Sequence, residues 1–194
     1  MTPGFGVLLY DERGRGESGG TTQSMGWNWI QDVRAAVDYA SRQRGVRAVG
    51  ALGLSIGAEV VVTAAAHDPR IRAVVAEGLI ARDLDDSEQQ STGDNVTGVP
   101  YWWVTYHALQ LETGTRPPEP LTTDLRRIAP RPVLIIASAT NPPEAHVAPV
   151  YARAGGPTAS LWLADAGHTR ALATYPRAYA RRVVGLFERS LVRR

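Results

Sequence analysis

The stretch Gly50-Ala51-Leu52-Gly53-Leu54-Ser55-Ile56-Gly57 constrains this chain more than any other. An apolar strand runs into G-x-S-x-G and then directly into a helical pattern over residues 56–67 that ends before Pro69. A serine on so tight a strand-to-helix turn stands clear of the backbone, and glycines are expected at 53 and 57 because a Cβ would collide with neighbouring chain there. The helix directs its N-terminal dipole at the serine, and the Ile56 amide is placed to donate to an oxyanion. G-x-S-x-G alone occurs by chance. The strand before it and the helix after it make Ser55 a candidate nucleophile.

The rest of the chain repeats that alternation. Residues 5–10 (FGVLLY), 47–52, 72–76, 132–137 and 160–164 are short apolar runs of strand length. Residues 29–42 place Ile30, Val33, Val37 and Ala40 on one helical stripe, with Gly45 as the stop. Further helices are expected over about 144–154 and 176–192, the last with Val183, Val184, Phe187 and Leu191 inward. Strands alternating with helices predict an α/β fold, a mainly parallel sheet covered by helices on both faces. Residues 80–127 interrupt the pattern, first polar, then aromatic at Tyr101, Trp102, Trp103 and Tyr106, then rich in proline. A chain of 194 residues fits one domain, 1–194, with 80–127 as an insertion within it.

Composition removes several chemistries. With no cysteine, disulfides, thiolate metal sites and a cysteine nucleophile are excluded. No apolar run reaches the roughly 18 residues of a membrane-spanning helix, and no secretory signal opens the chain. The expectation is a cytoplasmic protein without a membrane segment, with room upstream of Met1 for an anchor or signal. All 21 basic residues are arginines, and the net charge is only +2. Arg177, Arg181, Arg182, Arg189, Arg193 and Arg194 crowd the C-terminus without interleaved aromatics or a recognition motif. They read as the solvated face of a terminal helix, not as a nucleic-acid patch. The run Gly14-Arg15-Gly16-Glu17-Ser18-Gly19 matches G-x-G-x-x-G, but that fingerprint must open a helix at once, and residues 20–26 intervene. No P-loop lysine or metal-spaced histidine pair occurs, so neither cofactor nor metal is expected.

Serine needs a base. Of His67, His107, His146 and His168, only His168 lies just past the last strand and before the final helix, where the order Ser, acid, His puts it. His67 sits at the far end of the helix that starts at Ser55, roughly 15 Å away at about 1.5 Å per residue. His107 falls in the insertion and His146 on a helix. The acid belongs after the 132–137 strand, and Glu144 is the only carboxylate between Asp124 and Asp165. Glu144 is the best candidate to orient His168; Asn141 and Asp165 are the alternatives.

Residues 10–18 (YDERGRGES) resemble the D-x-R-G-x-G-x-S loop after the fourth strand of α/β-hydrolases. Together with Gly53-Leu54-Ser55-Ile56-Gly57 and Ala166-Gly167-His168-Thr169, they match that superfamily at three ordered places. The resemblance implies an α/β-hydrolase fold incomplete at the N-terminus, with its lid at 80–127. It makes Ser55 the nucleophile, His168 the base and the Ile56 amide an oxyanion donor, while Glu144 carries over by position. The family's third strand lies between its fourth and fifth, so residues 5–10 must pair directly with 47–52 or leave both edges unmatched. The loop after that strand supplies a second oxyanion donor, whose loss typically costs about 10²–10³ in kcat.

Two functions follow. One is a cofactor-free serine hydrolase cleaving a small-molecule carboxylic ester, with amide or peptide bonds second, and Trp102 and Trp103 lining the substrate pocket. The other is a weak or inactive hydrolase-like binding domain. Oligomeric state is not legible from the sequence.

Overall fold

The structure, a computed structural model, describes residues 4–21, 25–81 and 98–192. Four parallel strands, β1 (Val49–Leu54), β2 (Ile71–Glu77), β3 (Val133–Ser138) and β4 (Ala159–Ala164), lie in the order β1-β2-β3-β4. The helices are α1 (Ile30–Ser41), α2 (Ile56–His67), α3 (Gly98–Thr113), α4 (Leu121–Ile128), α5 (Pro142–Ala154), the single turn α6 (Ala171–Thr174) and α7 (Pro176–Phe187). A π-helical turn, Glu188–Val192, follows α7. Parts of the predicted insertion and of the arginine-rich end, residues 82–97 with Arg193 and Arg194, lie outside the described residues.

The alternation of side chains divides the interior into two layers. Val74, Ala76, Val133 and Ile135 face Val33 and Val37 of α1, Val62 of α2, Leu121, Leu125 and Ile128 of α4, and Val147 of α5. Ala73, Val75, Leu134 and Ile136 face Tyr179, Val183 and Leu186 of α7. Burying each aliphatic side chain contributes about 1.5–3 kcal/mol, so strands apolar on both faces are stable only when both faces are covered. β3 meets that condition along its whole length, being buried at every residue. Gly50 of β1 leaves room for the end of the last helix; a Cβ there would lie 2.5 Å from Phe187 Cε1 and 3.0 Å from Leu191 Cδ1. Val184, expected inward, is 40% exposed, because the inward stripe of α7 runs through Tyr179, Val183 and Leu186 instead.

One expected strand does not form. Residues 5–10 have no ladder partner, and Val7 and Leu9 are 79% and 86% exposed. A groove of about 440 Å³ separates Leu8, Leu9 and Tyr10 from Leu52 and Leu54 of β1. Apolar residues of strand length become a strand only when a neighbour accepts and donates the ladder bonds, and no described segment does so here. The segment is fastened elsewhere. Phe5 packs edge-on against Phe187 at 6.3 Å, and the Arg13 guanidinium grips Asp32 of α1 at 2.6–3.1 Å. Burial raises the Asp32 carboxyl, but the Arg13 hydrogen bonds outweigh it and hold the group below the usual range. The 14–19 loop closes on itself, with Ser18 Oγ donating to the Asp11 carbonyl at 2.7 Å, and α1 begins only at Ile30. That is not the geometry of a dinucleotide loop. The described arginines of α7 and its extension, Arg177, Arg181, Arg182 and Arg189, are exposed, with Arg182 lying over the Trp162 ring at 4.4 Å. No helix among the described residues is long and apolar enough to cross a membrane.

Where α2 meets α4, Asp124 is fully buried and neither of its oxygens makes a hydrogen bond. His67 Nε2 and Arg127 Nη1 stand off at 3.7 and 3.8 Å. Burial pushes its pKa up to about 6, against the partial opposition of Thr63, His67 and Arg127. The folded state therefore binds a proton more tightly than the unfolded chain. Stability falls as pH rises from the unfolded value of 3.8 to about 6 and then levels off. Asp124→Asn should show a stability advantage over wild type that grows by about 2–3 kcal/mol between pH 4 and pH 7, measured as urea unfolding at the two pH values.

Candidate active site

All four strands run the same way, so the loops that follow them gather at one edge, where α/β sheets hold their ligands. Ser55 follows β1, Glu77 ends β2 and Gly78 follows it, Glu144 follows β3 and His168 follows β4. Ser55 has φ 53° and ψ −127°, a conformation rarely adopted by a residue with a side chain. Three features hold it there. Its N–H donates to the Glu77 carbonyl at 2.8 Å, and its carbonyl accepts the Ala58 and Glu59 amides at 2.8 and 3.3 Å as the first turn of α2. Gly53 passes so close to the returning chain that a Cβ would lie 2.2 Å from the Gly57 carbonyl oxygen and 2.6 Å from the Ala58 nitrogen. The expected crowding at Gly57 is absent, since a Cβ there meets nothing within 4 Å. It is the backbone of Gly57 that excludes a side chain at position 53.

The His168 loop is pinned from the neighbouring strand. Ser138 Oγ donates to the Ala166 carbonyl at 2.6 Å, and Thr140 Oγ1 donates to the same oxygen at 3.1 Å. Gly78, at φ +75°, lies flush against the imidazole; a Cβ there would be 2.8 Å from His168 Cε1 and 3.0 Å from Nδ1. Glu144 lies in the first turn of α5, where a negative charge complements the helix dipole, and its side chain is wholly buried. Both of its oxygens are used. Oε1 lies 2.6 Å from His168 Nδ1, and Oε2 accepts the Ser138 N–H at 2.9 Å. A carboxylate only accepts, so Nδ1 carries the proton, and Nε2 is left to accept from Ser55 Oγ–H at 3.0 Å.

Ser55, His168 and Glu144 are thus brought together. Asn141 caps α5, while Asp165 is exposed and uses its carbonyl for Tyr175 Oη, so neither adjoins the His168 ring nitrogens. His67 pairs with Asp124 at the far end of α2, and His107 and His146 are exposed. As the first residue of α2, Ile56 has an amide without an intrahelical acceptor. Trp102 stacks on Tyr106 at 5.5 Å, and Trp103, 52% exposed, stacks on His107 at 4.1 Å. Tyr106 in turn packs on Trp27, whose neighbour Gly26 abuts the Ile56 side chain, so α3 docks on the Ser55 side of the molecule. No group of three or more His, Asp or Glu suited to a metal occurs among the described residues. Sequence reasoning missed Ser138, Gly78 and Glu77. Only Glu77 left a visible signal, as a charge closing an otherwise apolar run.

The fold places the protein in a known class. Its structure is similar to an esterase from Pyrococcus furiosus, with TM-score 0.70 and 19% identity over 93% of this chain and 69% of that one. It is also similar to an α/β hydrolase from Penicillium sp. sh18, with TM-score 0.68 and 15% identity over 96% and 80%. A third likeness is to 2,6-dihydroxy-pseudo-oxynicotine hydrolase, with TM-score 0.59 and 21% identity over 86% of this chain and 47% of that one. The fold is that of the α/β hydrolases. Residues 1–172 match the X-Pro dipeptidyl-peptidase (S15) family, and the chain belongs to it, a serine hydrolase of α/β-hydrolase type. No curated protein matches the chain.

The two glycines of the serine turn should behave differently. Gly53→Ala forces the turn against Gly57 and should cost about 1–3 kcal/mol as an overpacked site. Gly57→Ala has free space and sits in a helix, so it should be neutral or slightly stabilising. Urea unfolding of the two variants side by side tests the contrast.

Proposed function

We propose that the protein cleaves a carboxylic ester of a small molecule through an acyl-enzyme on Ser55. The reading rests on one chain of contacts, Ser55 Oγ to His168 Nε2 at 3.0 Å and His168 Nδ1 to Glu144 Oε1 at 2.6 Å. His168 takes the hydroxyl proton as Ser55 Oγ attacks the carbonyl carbon. Glu144 holds the ring in the tautomer that can accept it and stabilises the imidazolium that forms. The Ile56 amide donates to the oxyanion of the tetrahedral intermediate. Collapse of that intermediate transfers the proton from His168 to the departing alcohol and leaves the acyl group on Ser55. Water, deprotonated by His168, then attacks the acyl carbonyl, and as the second intermediate collapses His168 returns the proton to Ser55 Oγ and the acid departs.

Residues 80–127 are read as a lid within a single 1–194 domain, with Trp102 and Trp103 contacting the acyl chain. Trp102→Ala should raise KM for long-chain esters while leaving kcat in place. A second reading, cleavage of an amide or of a peptide bond after proline, is favoured by membership in the X-Pro dipeptidyl-peptidase family. The chemistry at Ser55 is the same, and only the leaving group changes from alcohol to amine.

A fluorophosphonate reagent followed by intact mass tests the nucleophile. One adduct is expected on the wild type and none on Ser55→Ala. Glu144→Gln should lower kcat on a p-nitrophenyl ester by on the order of 10⁴-fold, the cost of losing the orienting carboxylate in a serine triad. Hydrolysis of an X-Pro p-nitroanilide in preference to p-nitrophenyl esters would replace the ester reading with the peptidase one.

A further inference from the structure

Glu77, the last residue of β2, is 2% exposed. Among the described residues no arginine or histidine pairs with its carboxylate. Oε1 accepts a single hydrogen bond, from the Ala171 amide at 3.0 Å, and Oε2 accepts none. The phenol of Tyr179 on α7 is the other polar group at this carboxylate; burial, the Glu77 charge and a side-chain hydrogen-bonding interaction with Glu77 raise the phenol's pKa. Burying a charge without an ionic partner is costly. An apolar side chain of this size would fill the same space without that cost, so packing does not account for a carboxylate here. What the carboxylate adds is a fixed acceptor.

The position of that acceptor gives it a use. Ala171 opens α6, three residues beyond His168 and two beyond Thr169, which has φ 55°. The Glu77 main chain meanwhile holds the other half of the site, its carbonyl accepting the Ser55 amide at 2.8 Å. The next residue, Gly78, forms the surface against which the His168 ring lies. One residue therefore grips the serine turn through its backbone and the downstream end of the histidine loop through its side chain. We infer that Glu77 is a positioning residue, whose carboxylate sets the distance between His168 and Ser55 by anchoring the Ala171 amide. The inference rests on the reading of Ser55, His168 and Glu144 as the reacting group.

The test compares Glu77→Gln, which keeps an acceptor at Oε1, with Glu77→Met, which has nearly the same shape and no acceptor, both in the full chain. Three readouts are taken: the ¹⁵N and Nδ1-proton resonances of His168 through a pH titration, the rate of fluorophosphonate labelling at Ser55, and kcat and KM on p-nitrophenyl acetate against pH. Met should shift the His168 titration and slow labelling and kcat about 10²-fold, as sub-ångström to 1 Å misplacement of a catalytic group does, with KM unchanged. Gln should restore both. A folded Met variant with wild-type His168 resonances and labelling overturns the inference, as does a Gln variant as impaired as Met. If the wild type itself takes no label, the reading of Ser55 fails, and the His168 resonances alone decide for or against Glu77. If the Met variant does not fold, hydrogen exchange of the Ala171 amide in the wild type decides: protection supports the anchor and fast exchange overturns it.

Discussion

The register of the parallel ladder is the constraint on which the rest of this molecule depends. Leu54 pairs with Glu77, Glu77 with Ile136, and Ser138 with Ala164, so all four strands end within one or two residues of each other. Ser55 and Gly78 are the next residues along β1 and β2, and the loops bearing Glu144 and His168 leave β3 and β4 at the same level. A slip of one residue in β2 would reverse the faces of Ala73 and Val74 and carry Gly78 away from the histidine ring. The apolar core thus sets the geometry of the polar site. It does so through spacing.

Three buried carboxylates illustrate how differently the fold treats the same chemical group. Glu144 has one partner for each oxygen, His168 and the Ser138 amide, and lies at a helix N-terminus. Asp124 has His67 and Arg127 at arm's length and no hydrogen bond, and burial pushes its pKa up to about 6. Glu77 has one backbone donor and one oxygen without a partner. At Asp124, where no donor is pre-placed, burial of the carboxyl becomes a source of pH dependence. Ser138 is central to the first case, because its amide serves Glu144 while its hydroxyl serves the loop of His168.

Membership in a peptidase family and structural likeness to esterases are compatible, because both chemistries pass through attack on a carbonyl and an oxyanion. The difference lies in what is bound around the scissile bond. That depends on side chains outside the Ser55, His168 and Glu144 group, and a shared fold does not specify them. Among the described residues, the groove along β1 is one surface that Ser55 itself lines.

Local pattern was enough for much of this. Hydrophobic period located α1, α2 and all four strands of the sheet to within two residues, because those segments bury a stripe or a face wherever they are placed. G-x-S-x-G located Ser55 because its turn is dictated by neighbours in the chain. His168 followed from chain order, and Glu144 by elimination among carboxylates. What the chain could not announce was anything that depends on a distant partner. Residues 5–10 look like a strand and are not one, since pairing is a property of two segments. The pinning of His168 by Ser138, the flush contact of Gly78 and the reach of Glu77 to Ala171 join residues 28, 90 and 94 positions apart. Composition and spacing along a chain carry no record of such distances; only the folded sheet, by bringing its strand ends to one edge, decides them.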